Sequence, residues 1–134
     1  MQSTVTKAMS LEIKATLKTP EVQINAENGT ILIAGISIPE DPYAFYSPVN
    51  ESIEAYLKDP KKETRLDFKL EYFNTSSTLV IRNIIRALAE NTSNTALKVR
   101  WYYEEYDDDM REAGEEFKLL FSNVTFQLEQ VEEF

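Results

Sequence analysis

The chain contains no cysteine and no histidine. Their absence excludes disulfides, thiol nucleophiles, Cys/His zinc sites and imidazole acid–base chemistry. Carboxylates, hydroxyls, Lys and Tyr are what remain for chemistry. Basic residues are scarce: 14 Lys plus Arg stand against 23 Asp plus Glu, a formal charge of −9. A chain with this balance and no basic patch cannot displace counterions from a phosphate backbone, so nucleic acid and anionic membrane surfaces are not expected as partners. No apolar run approaches the length of a membrane span. The start, Met1 to Ser10, is polar and lacks the apolar segment of a signal peptide. Without a secretory signal, the Asn-x-Ser/Thr triplets at Asn28, Asn50, Asn74, Asn91 and Asn123 are chance matches, and a cytoplasmic location is expected.

What is present suits one folded domain. At 134 residues the chain can bury a full core without staples. Residues 1–10 read as a loose terminus and 11–134 as a single domain with no linker or repeat. With three Gly and five Pro, the turn signals are few and informative. Asn28-Gly29 predicts a two-residue type I′ hairpin within Glu21 to Gly35, opposing Ala26/Ile31, Ile24/Ile33 and Val22/Gly35. A helix follows Pro39, capped either by Asp41 with Pro42 in its first turn or by Ser47 with Pro48. Its expected apolar positions are Phe45, Val49, Ile53 and Leu57, and Asp59-Pro60 stops it.

Thr64 to Phe73 alternates, with Leu66, Phe68, Leu70 and Tyr72 on the apolar side, and reads as a strand with one buried face. A helix to about Asn91 carries the stripe Ile81, Ile84, Ile85 and Leu88. Thr95 to Glu104 alternates again, with Leu97, Val99, Trp101 and Tyr103 inward and Tyr102 outward. A third helix, Asp107 to Leu120, turns Met110, Ala113, Phe117 and Phe121 inward. Val124, Phe126 and Leu128 mark a last strand, and Leu11 to Ala15 one more. Strands buried on both faces would show continuous apolar runs, and these do not. The expected fold is therefore α/β: a two-layer arrangement of one mixed β-sheet with helices packed on one face and a polar opposite face.

Three motifs carry candidate chemistry. Asn74-Thr75-Ser76-Ser77 joins a strand to a helix start, where such residues cap orphan amides. A phosphoacceptor hydroxyl in the same place would have helix amides and the dipole to accommodate its phosphate. The acidic run through Glu104, Glu105, Asp107, Asp108, Asp109, Glu112, Glu115 and Glu116 could hold Mg²⁺ in a small carboxylate enzyme. Matching of acids to the positive end of a helix explains it more simply. Tyr102, with Tyr72 or Phe73 nearby, is a candidate for a partner surface.

Several short strings stand in a familiar order. They are Thr19-Pro20-Glu21-Val22, Ser37-Ile38-Pro39-Glu40-Asp41, Phe45-Tyr46-Ser47-Pro48-Val49 and Leu70-Glu71-Tyr72-Phe73-Asn74-Thr75-Ser76-Ser77. Trp101-Tyr102-Tyr103-Glu104-Glu105, Asp108-Asp109-Met110 and Gly114-Glu115-Glu116-Phe117 complete them. Together, over about Leu11 to Val131, the chain resembles the SiaC family of bacterial regulatory phosphoproteins linked to biofilm and aggregation control. The resemblance implies a fold like anti-sigma-factor antagonists (STAS-like). It implies phosphorylation of Thr75 by a dedicated SiaB-like protein kinase, reversal by a SiaA-like PP2C-type phosphatase, and an unphosphorylated form that binds a diguanylate cyclase. On that reading Asn74 is the cap, Ser76 and Ser77 are rival acceptors, and neither a cofactor nor a small-molecule substrate is needed.

Overall fold

The computed structural model describes residues 10–134; the loose terminus expected over residues 1–10 lies, apart from Ser10, outside the described residues. Six strands and three helices are found among them. The strands are β1 (Leu11–Ile13), β2 (Glu21–Asn25), β3 (Thr30–Ser37), β4 (Glu63–Phe73), β5 (Ala96–Glu104) and β6 (Thr125–Val131). The helices are α1 (Pro42–Leu57), α2 (Thr75–Ala89) and α3 (Asp108–Leu120). The sheet order is β1-β2-β3-β4-β5-β6, the same as the chain order. The first two pairings are antiparallel and the last three parallel. Each parallel step crosses over through a helix. The inner strand positions and the apolar helix faces form a single core cluster, which gives the expected two layers.

The hairpin differs from the expected one. Its pairs are Val22 with Ile33, Ile24 with Ile31 and Asn25 with Thr30, so residues 26–29 form the loop. A type I′ turn needs positive φ at both central residues, and here Gly29 has it at φ 71° while Asn28 does not. Asn25 closes the loop instead, its side-chain oxygen accepting from Asn28 N–H at 3.0 Å and its carbonyl from Gly29 N–H at 2.9 Å. The shift is an even number of residues, so the same side chains face the core.

Asp41 caps α1 by accepting from Ala44 N–H at 3.1 Å, with Pro42 in the first turn, and Pro48 lies inside the helix. The buried stripe of α1 is Tyr46, Val49, Ile53 and Tyr56. The expected pair Phe45 and Leu57 is only partly buried. Steps of 3, 4 and 3 residues follow the 3.6-residue turn, whereas constant steps of four drift off one face. On α2 the stripe is as expected: Ile81, Ile84, Ile85 and Leu88 are fully buried.

β4 changes face near its end. Leu66, Phe68 and Leu70 point inward, but Tyr72 is 56% exposed and Phe73 packs on the core. The pairing passes from Gly35–Leu70 to Ile36–Tyr72, so Glu71 has no partner on β3. Such a bulge reverses which face the following residues occupy. Tyr72 therefore does not belong to the inner set in which the alternation placed it. The open face is polar over β4 and β5, yet on β3 it carries half-buried Leu32, Ala34 and Ile36.

Trp101 fills the centre beneath α3. Its ring centroid lies 5.0 Å from that of Phe68, 6.0 Å from Phe73 and 5.4 Å from Phe117. Its indole N–H donates to the Met110 carbonyl at 2.9 Å. Gly114 lies against the ring, where a Cβ would come within 2.4 Å of Cδ1.

Two hydroxyl networks complete the interior. Tyr46, Ser37 and Ser77 join α1, β3 and α2, with 2.8 Å between the Tyr46 and Ser37 hydroxyls and 3.0 Å between those of Ser37 and Ser77. Tyr56, Thr64 and Thr95 join the other end of α1 to β4 and the start of β5, at 2.8 and 2.7 Å. Burial pushes the Tyr46 phenol up to about 12, partly offset by its bond to Ser37.

Leu88→Ala is expected to cost about 2–5 kcal/mol in urea unfolding, since it opens a cavity in a fully buried site. Gly114→Ala is expected to lower Tm by forcing the Trp101 ring aside, with a shift in tryptophan emission. Tyr46 makes stability fall between pH 10 and pH 12. In that window the unfolded chain ionises this phenol near 10.0 while the fold holds it neutral to about 12. The loss reaches about 3 kcal/mol at 1.36 kcal/mol per unit. Tyr46→Phe should flatten that part of the Tm–pH curve.

Candidate functional site

The parallel strands all end at one edge of the sheet, and each of the three helices starts there. In open α/β sheets this edge is where function is usually placed. Asn74 lies between β4 and α2 and caps the helix, its side-chain oxygen accepting from Ser77 N–H at 3.0 Å. Its own N–H donates to the Ser37 carbonyl at 3.2 Å, which ties the strand–helix junction to β3.

The three hydroxyls that follow are not equivalent. Ser77 is fully buried, and its hydroxyl donates to the Ser37 carbonyl at 3.0 Å. Ser76 is exposed, but its hydroxyl donates to the Asn74 side chain at 3.1 Å. Thr75 opens the helix and is exposed, and among the described residues no group hydrogen-bonds to its hydroxyl. Thr75 thus offers an exposed side chain from the rigid start of a helix.

The surroundings are acidic. A small cleft of about 130 Å³ beside the junction is lined by Glu71, Tyr72, Phe73, Asp107, Asp109 and Met110. Asp107 caps α3 by accepting from Met110 N–H at 3.0 Å. Asp108 and Asp109 fill the first turn, and Arg111 pairs with Asp108 at 3.6 Å and Glu115 at 3.1 Å. Much of the acidic run is thus accounted for by capping, dipole matching and pairing along one helix. Among the described residues no three carboxylates converge in a metal-holding group. The loop before α3 places Tyr106 at φ 73°, with its side chain 90% exposed. That conformation is unusual for an aromatic residue and leaves the ring free at the same edge.

The structure does not bring Tyr72 and Tyr102 into one surface: Tyr72 lines the acidic cleft, whereas Tyr102 lies on the open face. Tyr72 adjoins Asn74 and Thr75, which gives the site an exposed aromatic. Tyr102 stands apart: it is half-buried on the open face, with Lys69 Nζ 4.9 Å and the Arg100 guanidinium 5.7 Å from its ring centre. It lines a groove of about 470 Å³ with Gly35, Lys69, Glu71, Val131 and Phe134. Glu71 borders both the groove and the acidic cleft. Beside Tyr102, Arg100 makes a two-point contact with Asp67 at 3.0 and 2.9 Å, a bond that raises its pKa further.

The residues missing from the sequence reading are those behind the site. Ser37 and Tyr46 hold the junction from below, and Glu71 changes the face of β4. A signal for Ser37 was available: it is polar at an inward position of an otherwise apolar strand, so it requires a buried partner.

The model of the SiaC family regulatory phosphoprotein matches residues 13–131. An uncharacterized protein of Pseudomonas aeruginosa (strain UCBPP-PA14) is 31% identical over 109 residues, which is 81% of this chain and 86% of that protein. Two crystal structures are similar across nearly the same extent. Apo-SiaC from Pseudomonas aeruginosa is 28% identical with a TM-score of 0.76, covering 90% of this chain and 97% of that one. SiaC in the complex of the diguanylate cyclase SiaD with its activator SiaC, from the same organism, is 29% identical with a TM-score of 0.77 and the same coverage. Among the described residues no helix is long and apolar enough to cross a membrane. On the family match, which spans all three helices and strands β2 to β6, the chain belongs to the SiaC family of regulatory phosphoproteins.

Proposed function

We propose that this protein is a non-enzymatic cytoplasmic adaptor switched by reversible phosphorylation of Thr75. Its unphosphorylated form binds and regulates a protein partner such as a diguanylate cyclase. The observation that carries the reading is the contrast among neighbouring hydroxyls: Ser77 is buried, Ser76 is bonded to the cap, and Thr75 is exposed with its hydroxyl unengaged. A kinase of the SiaB type would phosphorylate it and a PP2C-type phosphatase of the SiaA type would reverse this. The cyclase as partner is supported by the similar SiaC protein seen as the activator of SiaD.

The physical basis of the switch is local. A phosphate on Thr75 adds about −1.5 to −2 charges at the start of α2, where amides and the dipole tolerate it. The fold is therefore expected to accept the modification. A partner packed against this spot would instead have to desolvate the new charge or oppose it with its own. Tyr72 and the carboxylates of the neighbouring cleft complete the surface such a partner would touch.

Incubation with a SiaB-type kinase and ATP is expected to place one phosphate on Thr75, located by peptide mass spectrometry. Thr75→Ala should remove the label and retain partner binding, while Thr75→Glu should weaken binding. A 10–100-fold loss on phosphorylation needs only about 1.4–2.7 kcal/mol. Label on Ser76, or undiminished labelling of Thr75→Ala, overturns the assignment. Calorimetric titration with Mg²⁺ should show no site tighter than about millimolar, since first-turn acids are already matched to the dipole. Tight binding there would favour the alternative, a Mg²⁺-dependent enzyme using the acidic run.

A further inference from the structure

We propose that Ser37 is a positioning residue for phosphoryl transfer to Thr75, holding that residue by both of its flanks. The inference rests on Thr75 being the phosphoacceptor. Ser37 ends β3, is fully buried and touches neither solvent nor the Thr75 hydroxyl. Its carbonyl accepts twice: from Asn74 N–H at 3.2 Å, just before Thr75, and from the Ser77 hydroxyl at 3.0 Å, two residues after it. Its hydroxyl lies 3.0 Å from the Ser77 hydroxyl and 2.8 Å from that of Tyr46.

One order of protons satisfies every hydroxyl. Tyr46 donates to Ser37, Ser37 donates to Ser77, and Ser77 donates to the Ser37 carbonyl. The chain of bonds runs from α1 through β3 to the first turn of α2 and closes on itself. Buried hydroxyls left without partners are costly, so the closed arrangement is held as a unit. Because Thr75 has no hydrogen bond of its own to its hydroxyl among the described residues, its placement is inherited from Asn74 and Ser77.

In the transfer the Thr75 oxygen bonds to the γ-phosphorus of ATP. The bond from that phosphorus to the β–γ bridging oxygen breaks, ADP leaves, and the hydroxyl proton passes to a base of the kinase. Such a step depends on near-attack geometry, and a displacement of about 1 Å costs on the order of 100-fold. Removing the Ser37 hydroxyl leaves both bonds to its carbonyl in place but breaks the link from Tyr46 to Ser77. It would therefore loosen the flank after Thr75 and act on turnover rather than on docking, because no surface group changes.

The test is steady-state phosphorylation of the full chain by a SiaB-type kinase with ATP, read at Thr75 by mass spectrometry. Ser37→Ala is expected to lower kcat by about tenfold or more with KM within about twofold, following the geometric argument. Ser37→Thr, which keeps the hydroxyl, should recover most of kcat. Ser77→Ala serves as a second variant should Ser37→Ala fail to fold, with the same expected split. Tyr56→Phe is the matched control: it removes a buried hydroxyl from the network at the opposite end of α1. It should lower Tm without changing kcat. Amide hydrogen exchange should rise at residues 74–77 in Ser37→Ala and not in Tyr56→Phe.

Unchanged kcat in Ser37→Ala and Ser77→Ala overturns the proposal. So does a kcat that falls with Tm alike in these variants and in Tyr56→Phe. Wild-type protein that is not labelled at Thr75 overturns the underlying reading instead, and the proposal with it.

Discussion

The organisation of the site depends on β4 changing face between Leu70 and Phe73. Before that point the strand feeds Leu66, Phe68 and Leu70 to the core; after it, Phe73 goes inward and Tyr72 outward. The unpaired residue is Glu71, and opposite it Gly35 adopts φ 108°. An added Cβ at Gly35 would have room, its nearest neighbour being Pro20 Cα at 3.9 Å. Conformation rather than space is therefore what asks for glycine. In a regular ladder Tyr72 would lie under the helices and Phe73 on the open face. Trp101 would lose an edge contact, and Thr75 would lose its exposed aromatic neighbour. A one-residue irregularity thus sets both the core and the surface around the junction.

A chain without histidine or cysteine has a restricted set of buried polar links, and this one uses neutral hydroxyls. The buried polar residues among those described are Ser37, Thr64, Ser77 and Thr95. All four belong to the two networks closed by Tyr46 and Tyr56. A hydroxyl both donates and accepts, so a few of them can close a network without importing charge. Burying an ion in the same place would need a partner ion and a large desolvation cost. The two tyrosines sit near opposite ends of α1 and fix its ends to the sheet. The stripe between them, Val49 and Ile53, needs only apolar contact.

Patterns of one period were legible in the sequence. The stripe of α2, the alternation of β5, the capping by Asn74 and the single-faced sheet all follow from spacing and residue type. Features that depend on two segments at once were not. Asn28-Gly29 alone points to a two-residue hairpin loop, while the observed closure uses Asn25 as well. The bulge needs β3 and β4 together, since Glu71 looks like an ordinary outward residue of β4. On α1 the positions Phe45 and Leu57 are apolar and well spaced, yet Tyr46 and Tyr56 are inside because each has a hydroxyl partner waiting in the sheet. Thr75 came from the resemblance, and composition alone left it among several capping residues. Gly114 gave no local signal either, because its reason is a tryptophan on another element.

The agreement between strand order and chain order bears on how the molecule is made. Every strand after the first docks on the one synthesised just before it, so no strand has to be inserted between two that already pair. After β3 each added strand brings its own crossover helix, and the growing sheet is covered on one face as it lengthens. During synthesis the exposed edge moves steadily outward from β2 to β6 and no earlier strand is left waiting for a late partner. A ribosome-bound intermediate ending after β5 would already contain the hydroxyl networks at both ends of α1. It would lack only α3, the cover over Trp101, and β6. Long-range closure is what slows β-containing folds and exposes them to aggregation. This chain meets that cost in short sequential instalments, and a pulse-chase of nascent chains would see protection spread from the amino-terminal side.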